Sequence, residues 1–470
     1  MTSRQKRIVV LGGGAGGLTA AWPVSGLPDC AVSVYEKTAS LGGSCGSFKY
    51  NGFNLDYGPH KIYSVVPGIM DLLEGLGGDR LIRVKKKHRI ILKSKLISYP
   101  VRFMELPRVF GLWGLIQCAL SVLSSAVKSP WLRGVPRSYK DYVITRFGRK
   151  LYDFVFEPLA EKTWGDPETL SADIAITRIP GKGAVDLLMR ALKLARESGE
   201  TQADYFLYPK EGFGGIIARL AEEIEKNRGV FYMERFPVRA EISKGRITSL
   251  VFNDGGRAEP DMVISSIPLI DLAALLFPED ASFREEVLSL EMRNLVLVYL
   301  FIDRPKVLDD HWIFCPDKDL IFGRLSEQKL MSSAVGPEDR TMICCDFTCG
   351  NDDRRWLAKP EELAARCAAD LERLGLVKGK EIYGHHVIKI PAFYPRYGLD
   401  YQAAEAKIFN KIGKVENLIC TGRLSLYNYN NFDHCADMGQ MIAEGLRRDH
   451  AGRDITGELI KRSGSYRIVD

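Results

Sequence analysis

The apolar and polar positions of the chain fall into two rhythms. At the start, Arg7-Ile8-Val9-Val10-Leu11 is a short continuous apolar run, the pattern of a strand buried on both faces of a parallel sheet. Leu18 to Trp22 reads as a helix, and Ala31 to Glu36 as a second buried strand. Pro23 lacks a backbone donor, so this helix is expected to kink or end near Trp22. Residues 61–205 lose the α/β alternation. Arg89 to Leu96 suggests a hairpin, Lys85 to Arg89 a solvated strand end, and the stretch beyond is helical and aromatic-rich. The alternation returns near residue 210. A helix there carries Ile216, Leu220 and Ile224 on one face, and strands are expected over 229–242, 246–252 and 261–268. Residues 290–350 are strand-rich. A helix from Lys359 presents Leu363, Cys367, Leu371 and Leu374. The last α/β piece is a strand at Leu418 to Cys420, then a helix over 436–448. The polar tail, 451–470, is expected to be poorly ordered. The pattern implies an α/β chain with α+β insertions. Segments 1–62, 206–270 and 413–450 would form a discontinuous dinucleotide-binding domain, and 63–205 with 271–412 a substrate domain.

At 470 residues, with 46% hydrophobic and 26% charged residues, the composition excludes disorder and a disulfide-dense mini-protein. Net charge is 65 − 59 = +6, without the concentrated basic face of a nucleic-acid binder. The ten cysteines form no CxxC pair, and Cys344, Cys345 and Cys349 lack a Cys/His metal pattern. They read as reduced thiols, no metal site is expected, and the expected location is cytoplasmic. The polar start, Met1 to Arg7, does not read as a signal peptide. Phe110 to Val127 changes this picture: 18 residues without a charge, at the lower limit for a membrane span. Gln117, the serines and the glycines favour a buried or interfacial helix. Arg102, Arg108, Lys128 and Arg133 flank it as they would flank a segment resting peripherally on the inner face of a membrane.

The chemistry begins at Gly12-x-Gly14-x-x-Gly17, placed between a strand and a helix. Such glycines give a tight turn, close backbone approach to a pyrophosphate and helix–strand contact, with the anion on the helix N-terminus. Glu36 lies 19 residues beyond Gly17. Its carboxylate can accept from ribose hydroxyls and would repel a 2′-phosphate. A second glycine pair, Leu41-Gly42-Gly43-Ser44, and then Gly58-Pro59-His60 suit the longer path of FAD rather than a nicotinamide cofactor.

Together these elements resemble the glutathione-reductase-like FAD-binding Rossmann fold with an inserted substrate domain, in its amine oxidase and protoporphyrinogen oxidase branch. Three motifs narrow the resemblance toward UDP-galactopyranose mutase-like proteins. Glu161-Lys162-Thr163-Trp164-Gly165, followed by Arg178-Ile179-Pro180, looks like their "EKxWG … RIP" segment. Phe322 to Glu327 is similar to their arginine-bearing strand at the flavin, and Gly422 to Asn431 to their C-terminal "GRLxxYxYYD" motif. The departures fall on substrate-facing positions. Tyr63 stands where the mutases carry a second histidine, Asn431 where they carry an acid, and Arg102 where they carry an asparagine. Gly181-Lys182-Gly183 stands where they place a second arginine.

The resemblance implies bound FAD. The expected cofactor contacts are Gly12, Gly14, Ala15, Gly16, Gly17, Glu36, Lys37, Gly42, Gly43, Ser44, Gly58, His60, Val238, Gly422, Arg423 and Tyr429. Arg324, His60 and Tyr429 are the expected catalytic groups. Trp164, Arg178, Lys182, Tyr394 and Tyr397 are the expected contacts of a small-molecule substrate. Arg324 has an alternative as a salt-bridge partner of Glu327 or a neighbour, and His60 as a core histidine. Adjacent His385 and His386 would face opposite sides of a strand, which disfavours a shared metal. The implied activity is flavin-dependent oxidoreduction by hydride transfer, with a redox-neutral sugar mutase as the alternative.

Overall fold

The computed structural model describes residues 4–99, 105–128, 136–179 and 205–468. A five-stranded parallel sheet is built from Leu418–Cys420, Met262–Ser265, Lys6–Leu11, Cys30–Tyr35 and Val230–Tyr232, in that spatial order. Its strands come from three separated stretches of chain. Ile8, Val10, Val34 and Ile264 are fully buried in it, as their continuous apolar runs require. A second sheet of seven strands carries Ile382–Pro395, Met292–Ile302, Thr341–Cys349, Arg324–Ser326, Trp312–Phe314, His88–Leu92 and Lys95–Ser98. One face packs on helix Pro360–Arg373 through Val296, Val298, Leu363 and Cys367; the other packs on Phe53 and Leu55 through Leu297 and Tyr299. That second contact seats the seven-stranded sheet on the hairpin of Ser47–Tyr50 and Phe53–Asp56, which follows the second glycine loop.

Several expectations need correction. The first helix runs from Ala15 to Ser25 straight through Pro23. Proline leaves the Thr19 carbonyl without its partner one turn on. Helix Phe432–Arg447 crosses there with Gly439 against that carbonyl: a Cβ on Gly439 would overlap the Thr19 oxygen. The bond lost is the helix's last but two, and the space is taken by a close backbone crossing. The strand expected over 229–242 is two strands in different sheets, Val230–Tyr232 and Pro237–Ser243. The break lies at Glu234, whose φ of 55° is left-handed, and Arg235 then stacks on Tyr232 and Phe252. The tail is ordered. Gly452–Ser463 is a helix that buries Ile455 and Leu459, and its Thr456 hydroxyl accepts from Cys420 N at 3.1 Å. Tyr466 stacks on His434 and donates to Asp437. His88 is not at a solvated strand end: it is buried, stacked 3.6 Å from Trp312, and neither ring nitrogen has a hydrogen-bond partner among the described residues. All ten cysteines are free and buried.

Candidate active site

The glycine turn opens where the first strand ends. Gly12 has φ +94°, and a Cβ there would lie 2.6 Å from the Ser266 hydroxyl. A Cβ on Gly17 would overlap the Gly12 carbonyl, so this glycine serves the strand–helix contact. Gly14 differs: nothing lies within 4 Å of a Cβ built on it. It caps the first helix in extended conformation, so the leading N–H groups of Ala15 and Gly16 lack intrahelical partners. Gly42 N donates to Gly13 O at 2.8 Å, which holds the second glycine loop, with Gly43 and Ser44, against the first. Open space beside two backbone loops at a helix N-terminus fits a pyrophosphate.

Glu36 ends the second strand, buried. It accepts from Gly13 N at 2.8 Å through one oxygen and from Thr38 N and Oγ1 through the other. The carboxylate therefore shapes the glycine turn, with both of its oxygens engaged. Lys37 beside it is exposed. Val238 sits in a separate three-stranded sheet with 55% of its surface exposed, three residues beyond Arg235, whose N–H donates to Glu36 O at 2.8 Å.

Three further segments converge at the other end. Gly58, φ +87°, follows Asp56, a buried carboxylate that accepts from Ser47, Tyr208 and Phe213 N. Burial pushes Asp56 up to about 6. His60 Nδ1 lies 3.0 Å from Gly58 O; a carbonyl only accepts, so Nδ1 carries the proton and Nε2 is left as an acceptor. Burial, with the charges of Arg423 and Arg324 nearby, pushes His60 down to about 4 and keeps it neutral. Arg324 donates to Asp346 at 2.8 Å, its partner across the strand pair, rather than to Glu327. Glu327 instead accepts from Val307 N, Leu308 N and Thr341.

The Gly422–Tyr429 segment joins the two ends. At its start, a Cβ on Gly16 would lie 3.0 Å from Gly422 Cα. Arg423 donates to Asn430 O at 2.7 Å and lies over the rings of Tyr394 and Tyr429. At its end, Tyr429 stacks on Tyr394 with 5.2 Å between ring centres, and its hydroxyl accepts from Trp164 Nε1 at 3.3 Å. Tyr397 accepts from Tyr429 N at 2.9 Å. The Arg178 guanidinium lies 4.2 Å from the Tyr429 ring centre and 5.4 Å from that of Trp164. The result is an aromatic box with two cations, Arg178 and Arg423, near the Tyr429 ring. Lys182, Gly181 and Arg102 lie outside the described residues.

Sequence reasoning missed two residues here. Lys162, inside the Glu161 to Gly165 motif, is half-buried and donates to the carbonyls of Cys315, Asp317, Leu320 and Phe322. It clamps the loop that leads into Arg324. Arg293 is half-buried with its Nε unpartnered among the described residues, close enough that a Cβ on Gly165 would lie 3.5 Å from its Nη1. Only a tertiary contact reveals either role.

A two-loop glycine cradle, a buried acid at the second strand and a cationic aromatic box define a flavin-type dinucleotide-binding fold with an appended substrate site. Comparisons with known proteins place it further. A sequence model of an NAD(P)-binding Rossmann-like domain matches residues 10–76. Protoporphyrinogen oxidase 2 of Arabidopsis thaliana is 23% identical over 460 residues, covering 88% of this chain and 87% of that protein. Among solved structures, reduced UDP-galactopyranose mutase superposes with a TM-score of 0.83 at 16% identity, over 99% of this chain and 98% of the other. A redesigned putrescine oxidase superposes with a TM-score of 0.65 at 14% identity, over 95% and 99%. Residues 10–76 thus carry a dinucleotide-binding Rossmann-like domain, and the chain shares the fold of UDP-galactopyranose mutase and putrescine oxidase.

Proposed function

We propose that the protein binds FAD without a covalent link and oxidises a small-molecule substrate held in the aromatic box, with a glycan- or nucleotide-sugar-related compound as the substrate class. The observation that carries this reading is the Gly422–Tyr429 segment, which touches the glycine cradle at one end and walls the box at the other. The cofactor would lie on segments 1–62, 206–270 and 413–450, and the substrate on 63–205 and 271–412.

When bound, FAD supplies the acceptor for a hydride leaving the substrate. The chain's own residues do the rest. Gly14 and Gly43 leave room for the pyrophosphate, and the first helix directs its N–H groups there. His60, neutral and with Nε2 unprotonated, offers an acceptor and adds no charge. Arg178 and Arg423 lie near the Tyr429 ring, which suits a ligand with an anionic group and a stacking face. Trp164 and Tyr397 fix the ring and backbone of Tyr429 by hydrogen bonds, so the wall is rigid before substrate arrives.

The mutase alternative is favoured by one observation, the pairing of Arg178 with the Trp164 and Tyr429 rings, which could hold a nucleotide diphosphate. Purified protein should carry stoichiometric FAD that an oxidisable substrate bleaches anaerobically. Conversion of UDP-galactopyranose to its furanose form by dithionite-reduced protein, at a rate typical of enzymes, would replace oxidation with ring mutation.

A further inference from the structure

Helix Leu106–Lys128 is turned inside out. The side packed on the protein carries Gly114, Cys118 and Ser121, which are small or polar, with Val122 as its one large apolar contact to the core among the residues after Gly111. Gly148, φ +83°, approaches the Ser121 backbone so closely that a Cβ would lie 2.8 Å from it, and the Ser121 hydroxyl accepts from Lys150 N at 3.1 Å. The side facing away carries the large apolar residues: Leu112 is 76% exposed, Trp113 69%, Ile116 49%, Leu120 60% and Leu123 56%. At ~100° per residue these five project within an arc of about 100° and run ~16 Å along the helix. A solvated helix of a globular protein has the opposite arrangement.

The helix is long and apolar enough to cross a membrane, yet its geometry argues against crossing. Gly111, at φ 68° and ψ 172°, breaks the helical backbone, and one side is anchored to the helices that follow. What remains is an apolar stripe parallel to the protein surface. Cations stand at its N-terminal end. Lys95 Nζ donates to Arg108 O at 2.5 Å, Lys93 Nζ lies 5.1 Å from the Phe110 and Phe154 ring centres, and Arg108 is exposed. The acids at that end are already engaged: Asp317 by Lys93 N and Ser94 N, Glu105 by Ser98, and Asp153 by Arg149. Leu96, on the adjacent hairpin, adds apolar surface at 40% exposure.

We infer that this face docks the protein on an anionic lipid surface, with the helix lying in the plane of the interface. Leu112, Ile116, Leu120 and Leu123 enter the acyl boundary, Trp113 sits at headgroup depth, and Lys93, Lys95 and Arg108 meet lipid phosphates. A protein partner would need an apolar groove to match. A bilayer accepts the stripe as it is and also uses the cations at its end.

The test is flotation of the full-length protein with vesicles of phosphatidylcholine and phosphatidylglycerol at about 7:3, against pure phosphatidylcholine, alongside sedimentation equilibrium without lipid. Wild type should float with the anionic vesicles, bind the neutral ones more weakly, and remain monomeric without lipid. A Trp113→Ser/Leu120→Ser variant, altered only at exposed positions, should keep its melting temperature and float at least ~10-fold less. The inference is overturned if wild type stays with the soluble fraction, or if the variant floats equally well. It is also overturned if wild type self-associates without lipid while the variant is monomeric, which would make the occupant a second copy. Membrane-bound protein that only detergent releases, not carbonate, would mean a span.

Discussion

Gly14 separates the cost of folding from the cost of binding. A leucine at this position keeps an allowed backbone, since φ is −77°, and its Cβ meets nothing within 4 Å. The folding cost is then limited to a poorer helix cap, about 1 kcal/mol. For a chain of this size that lowers the melting temperature by about 1 °C. The cofactor meets a different situation. The leucine side chain fills the space beside the free N–H groups of the first turn, where a pyrophosphate would be held. Two charge-assisted hydrogen bonds at about 1.5–3 kcal/mol each total about 3–6 kcal/mol. That predicts FAD binding weaker by about a hundredfold to ten-thousandfold.

The assay is visible flavin absorbance per protein after reconstitution and dialysis, together with thermal unfolding of the apoprotein. Gly17→Ala is the contrasting control. Its Cβ would overlap the Gly12 carbonyl, so it should unfold the α/β core whether or not flavin is present. Gly14→Leu protein with full flavin content and wild-type affinity would refute the placement of the cofactor on this turn.

Three other outcomes are expected. Gly439→Ala should lower stability to chemical denaturation by about 2 kcal/mol or more, because the added methyl overlaps the Thr19 carbonyl that Pro23 leaves open. Lys162→Met should cost about 3 kcal/mol and disorder the loop before Arg324, since the carbonyls of Cys315, Leu320 and Phe322 lose their donor; hydrogen exchange on residues 315–324 reads it directly. His60 binds its proton at about pH 4 when folded and near pH 6.5 when unfolded. The unfolded chain therefore takes up the proton first, and stability falls as pH drops through that window, by about 3 kcal/mol in full. His60→Gln should flatten this part of the stability–pH curve and leave the neutral end unchanged.

How much of this was legible in the sequence depends on how local each cause is. The parallel strands and the glycine turn follow from runs of neighbouring residues, and the structure places them where the pattern does. The end of the first helix does not, because the compensation for Pro23 is Gly439, more than four hundred residues away. The ordered tail was hidden for a similar reason: Ile455 and Leu459 gain burial against the strand at Leu418 and against the helix Phe432–Arg447, whose Gly445 meets Ile455. In the site, the glycines and Tyr429 stand out by motif. Lys162 does not, since a lysine reads as surface until four carbonyls converge on it. The helix at 106–128 was legible as an apolar run but not as an inverted one. Its packed side is set by Gly148 and Lys150 on the next helices.

Arg324 is the residue whose role the geometry divides. As a lone cation it would stabilise negative charge developing in the site, and Arg324→Ala would remove activity alone. The side chain of Asp346 is only 9% exposed, however, and its carboxylate accepts from Arg324 at 2.8 Å. Removing the arginine leaves a buried carboxylate without this partner, a change that costs about 3 kcal/mol in proteins. Asp346 offsets part of the Arg324 charge, and Arg423 adds a second cation beside Tyr429. A double-mutant cycle separates the two roles. Arg324→Ala should be destabilised, and Arg324→Ala/Asp346→Asn should recover most of that stability. If Arg324 acts chiefly by holding Asp346 and its strand, the double variant recovers turnover along with stability. If the cation itself acts on the reacting groups, stability returns and turnover stays at least ~100-fold low. We expect the first outcome. The second would return Arg324 to the reacting centre.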